Sequence, residues 1–338
     1  MKRQGISEKK GSVVFEQVTS RVLRGNALRD PYVRTLPVYL PPGYVTWSRR
    51  YPVVYVLTGF TGSGRMLLNV PAFGEPLDAR LDRLIGSGAM KPCIVVMPDC
   101  NTAYGGSQYL NSSATGRYAD HLVRELVPFV DRRFRTLPAA RHRAICGKSS
   151  GGYGAIVHAM LHPDVFGAVA CHSGDMAFEY CYTSGFPETV IELESAGGPR
   201  AWLRKFRAAR KKGKRMFSAL NTLGMAAAYS PNPRAELGVD WPMDLETGAL
   251  VPRVWKRWLA WDPVQMVARH AAALRKQRLV FVDCGTRDEW SLYVGARMFV
   301  AEARRRGVRV VHEEFDDSHM DISYRYDVSL PRLSRAIA

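Results

Sequence analysis

The stretch Arg143-Ala144-Ile145-Cys146-Gly147-Lys148-Ser149-Ser150-Gly151-Gly152-Tyr153-Gly154-Ala155-Ile156 constrains this chain more than any other. A short apolar run ends at Gly147, small residues follow, and a helical pattern begins through Ala155, Ile156, Val157 and Met160. Gly147-Lys148-Ser149-Ser150-Gly151 fits G-x-S-x-G, a turn from strand to helix so sharp that side chains two places before and after the serine would collide. Ser149 is expected in a strained turn with its hydroxyl exposed. The amide of Ser150 opens the helix and points at the same space, where a developing oxyanion can bind. The five residues alone also fit a plain glycine-rich turn. The apolar strand before them and the helix after them favour the chemical reading.

The rest of the chain supplies a frame for such a turn. Apolar or alternating runs read as strands at 12–20, 33–40, 51–57, 92–97, 165–171, 279–284 and 308–311. Helical periods fall at 77–85, 118–129 and 292–306, with another from 327 onward. Buried strands alternating with helices predict an α/β architecture, a mostly parallel sheet covered on both faces, with two antiparallel strands ahead of it. Sites in such sheets lie beyond the carboxyl ends of the strands. The alternation stops over 176–262, where Trp202, Phe206, Phe217, Trp241, Trp255, Trp258 and Trp261 mingle with positive charge. That segment is read as a cap inserted over the strand ends of a single 1–338 domain, against the alternative of a helical excursion packed on the side of the sheet.

Lys and Arg number 48 against 31 Asp and Glu, a net charge of +17 with neutral histidine. The clusters Arg132-Arg133-Arg135, 204–215 and Arg304-Arg305-Arg306 read as solvated helix faces and loops. No zinc-finger or RNA-recognition signature accompanies them, so no specific nucleic-acid binding is expected. Residues 1–11 are polar and lack the apolar core of a signal peptide, and no run of about 20 apolar residues occurs. The expectation is a cytoplasmic protein without a membrane span. Six cysteines are scattered singly, several in or beside apolar runs, and read as reduced buried thiols with no metal site. Neither a Walker loop nor a dinucleotide fingerprint is present, so no cofactor is expected. The oligomeric state is left open.

A serine hydroxyl needs a base, commonly a histidine oriented by a carboxylate, and after this kind of elbow the chain order is Ser, acid, His. Of the two C-terminal histidines, His312 lies inside a strand pattern. His319 lies in the following loop, Asp316-Asp317-Ser318-His319, and is preferred. The acid belongs in the loop after the preceding strand, Gly285-Thr286-Arg287-Asp288-Glu289-Trp290. Asp288 is the choice and Glu289 the fallback. A second oxyanion donor is expected from the loop after the third strand, as the amide of Phe60 beside Gly59.

Several stretches resemble one known family. Val38-Tyr39-Leu40-Pro41-Pro42-Gly43-Tyr44 is similar to the V-Y-L-P-P-G-Y opening of the esterase D or "putative esterase" family. Tyr104-Gly105-Gly106-Ser107 with Tyr109, Asn111-Ser112 and Gly116 resembles a loop of that family, as does Glu125-Leu126-Val127-Pro128-Phe129-Val130-Asp131 ahead of Phe134-Arg135-Thr136. The elbow, His319-Met320-Asp321 and Tyr324-Arg325-Tyr326 complete the set. The resemblance implies an α/β-hydrolase fold, carboxylic-ester chemistry without a cofactor, and Ser149, Asp288 and His319 as the catalytic set. Thr58-Gly59 stands where the family commonly has His-Gly. The elbow has Lys148 and Ser150 where many relatives have His and Met. The expected function is a serine carboxylesterase acting through an acyl-enzyme on soluble short-chain or aromatic acyl esters. The alternatives are an acyltransferase with the same residues and a non-catalytic basic binding protein.

Overall fold

The computed structural model describes residues 10–338, so the polar stretch 1–11 lies outside the described residues but for its last two. One sheet holds β1 (Ser12–Thr19), β2 (Val33–Leu40), β3 (Val53–Leu57), β4 (Ile94–Val96), β5 (Arg143–Lys148), β6 (Ala168–His172), β7 (Leu279–Gly285) and β8 (Val311–Phe315). Their spatial order is β1-β2-β4-β3-β5-β6-β7-β8. β2 runs antiparallel to β1 and to β4, and every other neighbouring pair is parallel. This is the α/β-hydrolase arrangement.

Burial explains the continuous apolar runs. β3, β4 and β6 are buried at every position, as strands covered on both faces must be. Alternate residues feed two cores. Val53, Tyr55, Leu57, Ile145 and Val169 pack on one side, with Tyr153, Ile156 and Val157 of α3. Val54, Val56, Ala144 and Cys146 pack on the other, against Leu81 and Leu84 of α1 (Leu77–Gly86) and Leu330 and Leu333 of the C-terminal helix (Tyr326–Ile337). Here α3 is Ser150–Leu161, the helix of the elbow. All six cysteines are free and buried. Among the described residues no helix is long and apolar enough to cross a membrane.

Two elements depart from the sequence pattern. The last strand is not the apolar run 308–311 but Val311–Phe315, with sequence VHEEF. It is an edge strand, paired only with β7, so solvent-side positions carry charge. Glu313 takes Arg325 and Arg332, and Glu314 takes Arg297. The helix expected at 118–129 extends to Arg133 and widens into a π-helical turn over His121–Leu126, between Tyr118–Asp120 and α2 (Val127–Arg133). Pro128 follows the widened turn and has no amide proton to donate back into it.

Between β6 and β7 the chain is helical: Phe178–Cys181, α4 (Phe186–Ser195), α5 (Pro199–Ala208), α6 (Lys214–Tyr229), α7 (Pro252–Leu259) and α8 (Pro263–Arg275). Its aromatics mostly join the core on the Val53, Tyr55 and Leu57 side of the sheet, where Tyr153 of the elbow helix meets Phe178 and Tyr229. Trp202 and Trp258 have no exposure, and Trp258 meets Tyr182 and Phe186 edge-on. Much of the aromatic content of this segment is therefore packing, while Tyr182, Phe186, Phe217 and Trp258 also face cavities. Arg204, Lys205, Arg207, Arg210, Lys211, Lys212 and Arg215 are exposed, and none has an ion-pair partner among the described residues.

Candidate active site

The elbow is as tight as its glycines require. Ser149 has φ 57° and ψ −129°, a backbone conformation that costs free energy for a residue with a side chain. A Cβ on Gly151 would stand 2.3 Å from the Leu57 carbonyl oxygen, and one on Gly147 would stand 2.5 Å from the Gly151 carbonyl carbon. The Ser149 N–H donates to the His172 carbonyl at 2.9 Å, and the Ser149 carbonyl accepts from the Tyr153 amide at 2.9 Å. These contacts hold the serine at the junction of β5 and α3.

The loop after β3 approaches from the side. A Cβ on Gly59 would lie 3.3 Å from Ser149 Cβ. The loop is pinned without a histidine: the Tyr109 hydroxyl donates to the Thr58 carbonyl at 2.7 Å, and the Thr61 amide donates to the Gly105 carbonyl at 2.6 Å. The Phe60 ring fits against Gly105 and Gly224, where a Cβ would come within 2.4 and 2.7 Å of it. Among the described residues, the amides of Phe60 and Ser150 have no protein acceptor.

Two loops bring the acid and the histidine together. Asp288 Oδ2 faces His319 Nδ1 at 2.7 Å, with the Asp288 side chain wholly buried. Asp288 Oδ1 accepts the Trp290 amide at 2.9 Å, and the Trp290 ring lies edge-on to the imidazole at 4.7 Å between centroids. Glu289 has a separate part: its Oε2 accepts the His319 backbone N–H at 2.9 Å. Gly285 permits the approach, since a Cβ there would meet the Asp317 carbonyl oxygen at 2.3 Å. His312 stays in β8 beside Glu314 and does not join the group.

Ser149 and His319 line one cavity of about 520 Å³, together with Thr58, Gly59, Phe60, Lys148, Ser150 and Asp175. Among the described residues no hydrogen bond joins Ser149 Oγ to the imidazole, a contact that commonly tightens only when substrate binds. Burial lowers the Lys148 amine below its ordinary value, while the carboxylates of Asp321, Asp288 and Glu289 act in the opposite sense. A second cavity of about 650 Å³ adjoins the first. The two share Cys181, Tyr182, Phe217, Asn221, Trp290 and Met320, and the second is floored by Phe186, Met225 and Trp258.

Sequence reasoning missed two groupings. Ser329 Oγ, His172 and Asp283 form another serine-histidine-acid series, with His172 Nε2 2.8 Å from Ser329 Oγ and Nδ1 2.6 Å from Asp283 Oδ1. Ser329 has no exposure, so it presents no nucleophile to a substrate. The other grouping is Asp175 with Gln108, Tyr182 and Tyr229, which join buried hydrogen bonds beside the elbow. Its one sequence signal was the position of Asp175, in the loop that follows a buried strand.

Comparison with known proteins identifies the family of the chain. The family described as "Putative esterase" matches residues 31–321. An endo-1,4-beta-xylanase/feruloyl esterase of Xylanibacter ruminicola is 32% identical over 151 residues, 42% of this chain and 20% of that protein. An esterase of Mycobacterium tuberculosis is 32% identical over 141 residues, 40% of this chain and 28% of that protein. The matches thus span less than a third of these curated relatives. Among solved structures, a ferulic acid esterase superposes with TM-score 0.62 at 20% identity, covering 97% of this chain and 99% of its own. An S-formylglutathione hydrolase from Agrobacterium tumefaciens superposes with TM-score 0.60 at 17% identity, covering 97% and 96%. With the family matched from the second strand to the loop of His319, on an α/β-hydrolase sheet, this chain belongs to the "Putative esterase" family.

Proposed function

We propose that this protein is a serine carboxylesterase. The observation that carries the reading is the buried Asp288–His319 pair, which opens on the same cavity as a serine held in a strained elbow. With Nδ1 turned to Asp288, Nε2 is left to serve Ser149. Nε2 takes the Ser149 proton as Oγ bonds to the ester carbonyl carbon, and the carbonyl oxygen becomes an oxyanion held by the amides of Phe60 and Ser150. The intermediate collapses, the carbon–alkoxy bond breaks, and the imidazolium returns its proton to the departing alcohol. Water then attacks the acyl-enzyme by the same route and frees the acid and Ser149. Asp288 stabilises the imidazolium throughout and stays ionised.

In this reading residues 176–262 act as a cap, since Cys181, Tyr182, Phe217 and Asn221 line the reaction cavity. We infer soluble short-chain and aromatic acyl esters as the substrates, to be received in the two adjoining cavities of about 520 and 650 Å³. The test is hydrolysis of 4-nitrophenyl acetate by the wild type and by Ser149→Ala. The variant is expected to lose roughly 10⁴-fold or more in kcat while remaining folded. A folded variant that keeps most of the activity would remove Ser149 from the role.

A further inference from the structure

Two carboxyl groups lining the reaction cavity, Asp175 and Asp321, have no part in the chemistry above, and Asp175 is the one beside the elbow. Asp175 lies in the loop leaving β6 and lines the cavity beside Ser149 and Ser150. Its Oδ2 accepts from Gln108 Nε2 at 2.9 Å and from the Tyr182 hydroxyl at 2.8 Å, and lies 3.4 Å from Ser150 Oγ. Its Oδ1 has no hydrogen-bond partner among the described residues, yet it is not among the enclosed polar atoms, so it faces the cavity. It has no ion-pair partner among the described residues, and burial raises the carboxyl above the usual range while the Tyr182 and Gln108 donors, the charge of His319 and the Ser150 hydroxyl oppose that rise. An acid kept in such a place incurs a desolvation cost.

The loop is held in position. Ser173 and Ala177, on either side of Asp175, have φ 42° and 54°. A Cβ on Gly174 would stand 2.4 Å from Cys171 Sγ and 2.9 Å from the Tyr153 amide nitrogen, so the loop is pressed onto the elbow helix. Asp262 accepts the amides of Ala177 and Phe178 at 3.1 and 2.8 Å. Gln108 also takes up a left-handed conformation, with φ 48°. Strain of this kind concentrates where a side chain must be aimed. Here one oxygen is braced and the other is left for a partner from outside.

The position of Asp175 limits what that partner is. Ser150 follows Ser149 directly, with α-carbons about 3.8 Å apart, and Asp175 is in contact range of Ser150. A donor on the substrate therefore meets Asp175 only if it sits close to the scissile carbonyl. We propose that Asp175 is a specificity-determining residue that accepts a hydrogen bond from a substrate hydroxyl three or four bonds from that carbonyl carbon, so that short hydroxy-substituted esters are preferred. The inference rests on the esterase reading and narrows its substrate class. Sites built to bond a hydroxyl discriminate strongly against analogues that lack it, because the buried acceptor is then left unpaired.

The experiment compares two matched pairs, 4-nitrophenyl 3-hydroxybutyrate with 4-nitrophenyl butyrate, and 2-hydroxyethyl butyrate with propyl butyrate. In at least one pair the wild type is expected to favour the hydroxylated ester by about tenfold or more in kcat/KM. Asp175→Asn keeps the size of the side chain but not its charge, and should reduce that preference to roughly threefold or less. A brace would lower both members of a pair together and leave their ratio unchanged, which would overturn the proposal. The same esters titrated into Ser149→Ala, followed by tryptophan fluorescence, give the preference as binding. Equal affinities within both pairs would overturn the inference even with Asp175→Asn unfolded. Wild-type protein that hydrolyses none of the four would instead overturn the esterase reading.

Discussion

Glu289 accepts the backbone N–H of His319 at 2.9 Å, while its neighbour Asp288 faces the ring nitrogen of that same histidine at 2.7 Å. One acid fixes where the loop stands and the other fixes how the ring is turned. In the proposed reaction the second task matters more. Asp288→Asn is expected to lower kcat by roughly 10³- to 10⁴-fold, because the imidazole loses both its orienting partner and the charge that stabilises the imidazolium. Glu289→Ala removes one charge-assisted hydrogen bond, of about 1.5–3 kcal/mol, and should cost roughly 10- to 100-fold. Glu289→Gln keeps an acceptor and should recover most of that loss. Steady-state kinetics on 4-nitrophenyl acetate decide it, and a larger effect for Glu289→Ala than for Asp288→Asn would reverse the assignment.

The passage between the two cavities makes a separate expectation. Asn221 borders both, and so do Phe217 and Met320, which are 39% and 54% exposed although apolar. Exposed apolar groups gathered at one opening serve to contact a ligand. Asn221→Trp should close the passage. A phenyl group that can no longer be buried beyond it forfeits about 1.5–3 kcal/mol. The ratio of kcat/KM on 4-nitrophenyl 3-phenylpropanoate to that on the acetate ester should then fall by roughly 10- to 100-fold. An unchanged ratio would mean that the second cavity takes no part in binding.

Asp262 links pH to stability. It caps α8 by accepting the Val264 amide at 2.9 Å and also holds the amides of Ala177 and Phe178. Burial pushes its carboxyl up to about 6, even though those three donors pull the other way. A carboxyl that binds its proton more tightly in the folded chain favours folding at low pH. Its contribution is fully present below the unfolded value near 4 and is lost as pH rises through about 6. Across that window it amounts to about 3 kcal/mol. Relative to Asp262→Asn, the wild type should therefore lose stability between pH 4 and 6 in urea unfolding. A difference that stays flat with pH would show that Asp262 ionises as easily in the folded chain as in the unfolded one.

The elbow glycines admit little change. Gly151→Ala places a methyl group 2.3 Å from the Leu57 carbonyl oxygen, where backbone must move to make room. A loss of about 3 kcal/mol in unfolding free energy is expected. A neutral substitution would mean that β3 and α3 are less closely packed than described.

The sequence made the frame legible wherever burial dictates residue type. The run at 51–57 and the apolar approach to Gly147 mark buried strands, the run at 33–40 marks another strand, and the strands are found there. Ser149, Asp288 and His319 could be named because chain order and loop position restrict each to a few residues. Where tertiary pairing decides, the pattern misled. The edge strand carries His312, Glu313 and Glu314, so its apolar approach at 308–310 was mistaken for the strand itself. Asp175 could not be joined to Gln108 or Tyr182, which come from separate loops that only the fold brings together. Trp202 is packed wholly into the core while Trp258 also floors the second cavity, a division that composition cannot reveal.

The most direct measurement uses a fluorophosphonate, which reacts covalently with an activated serine hydroxyl. Two serines here are followed by a histidine and an acid. Ser149 opens on a cavity, whereas Ser329, 2.8 Å from His172 Nε2, is sealed in the core. Intact mass followed by peptide mapping should find a single adduct on Ser149. The adduct should be absent in Ser149→Ala, strongly slowed in His319→Ala and unaffected in Ser329→Ala. An adduct on any other residue, or unchanged labelling of Ser149 in His319→Ala, would contradict the account.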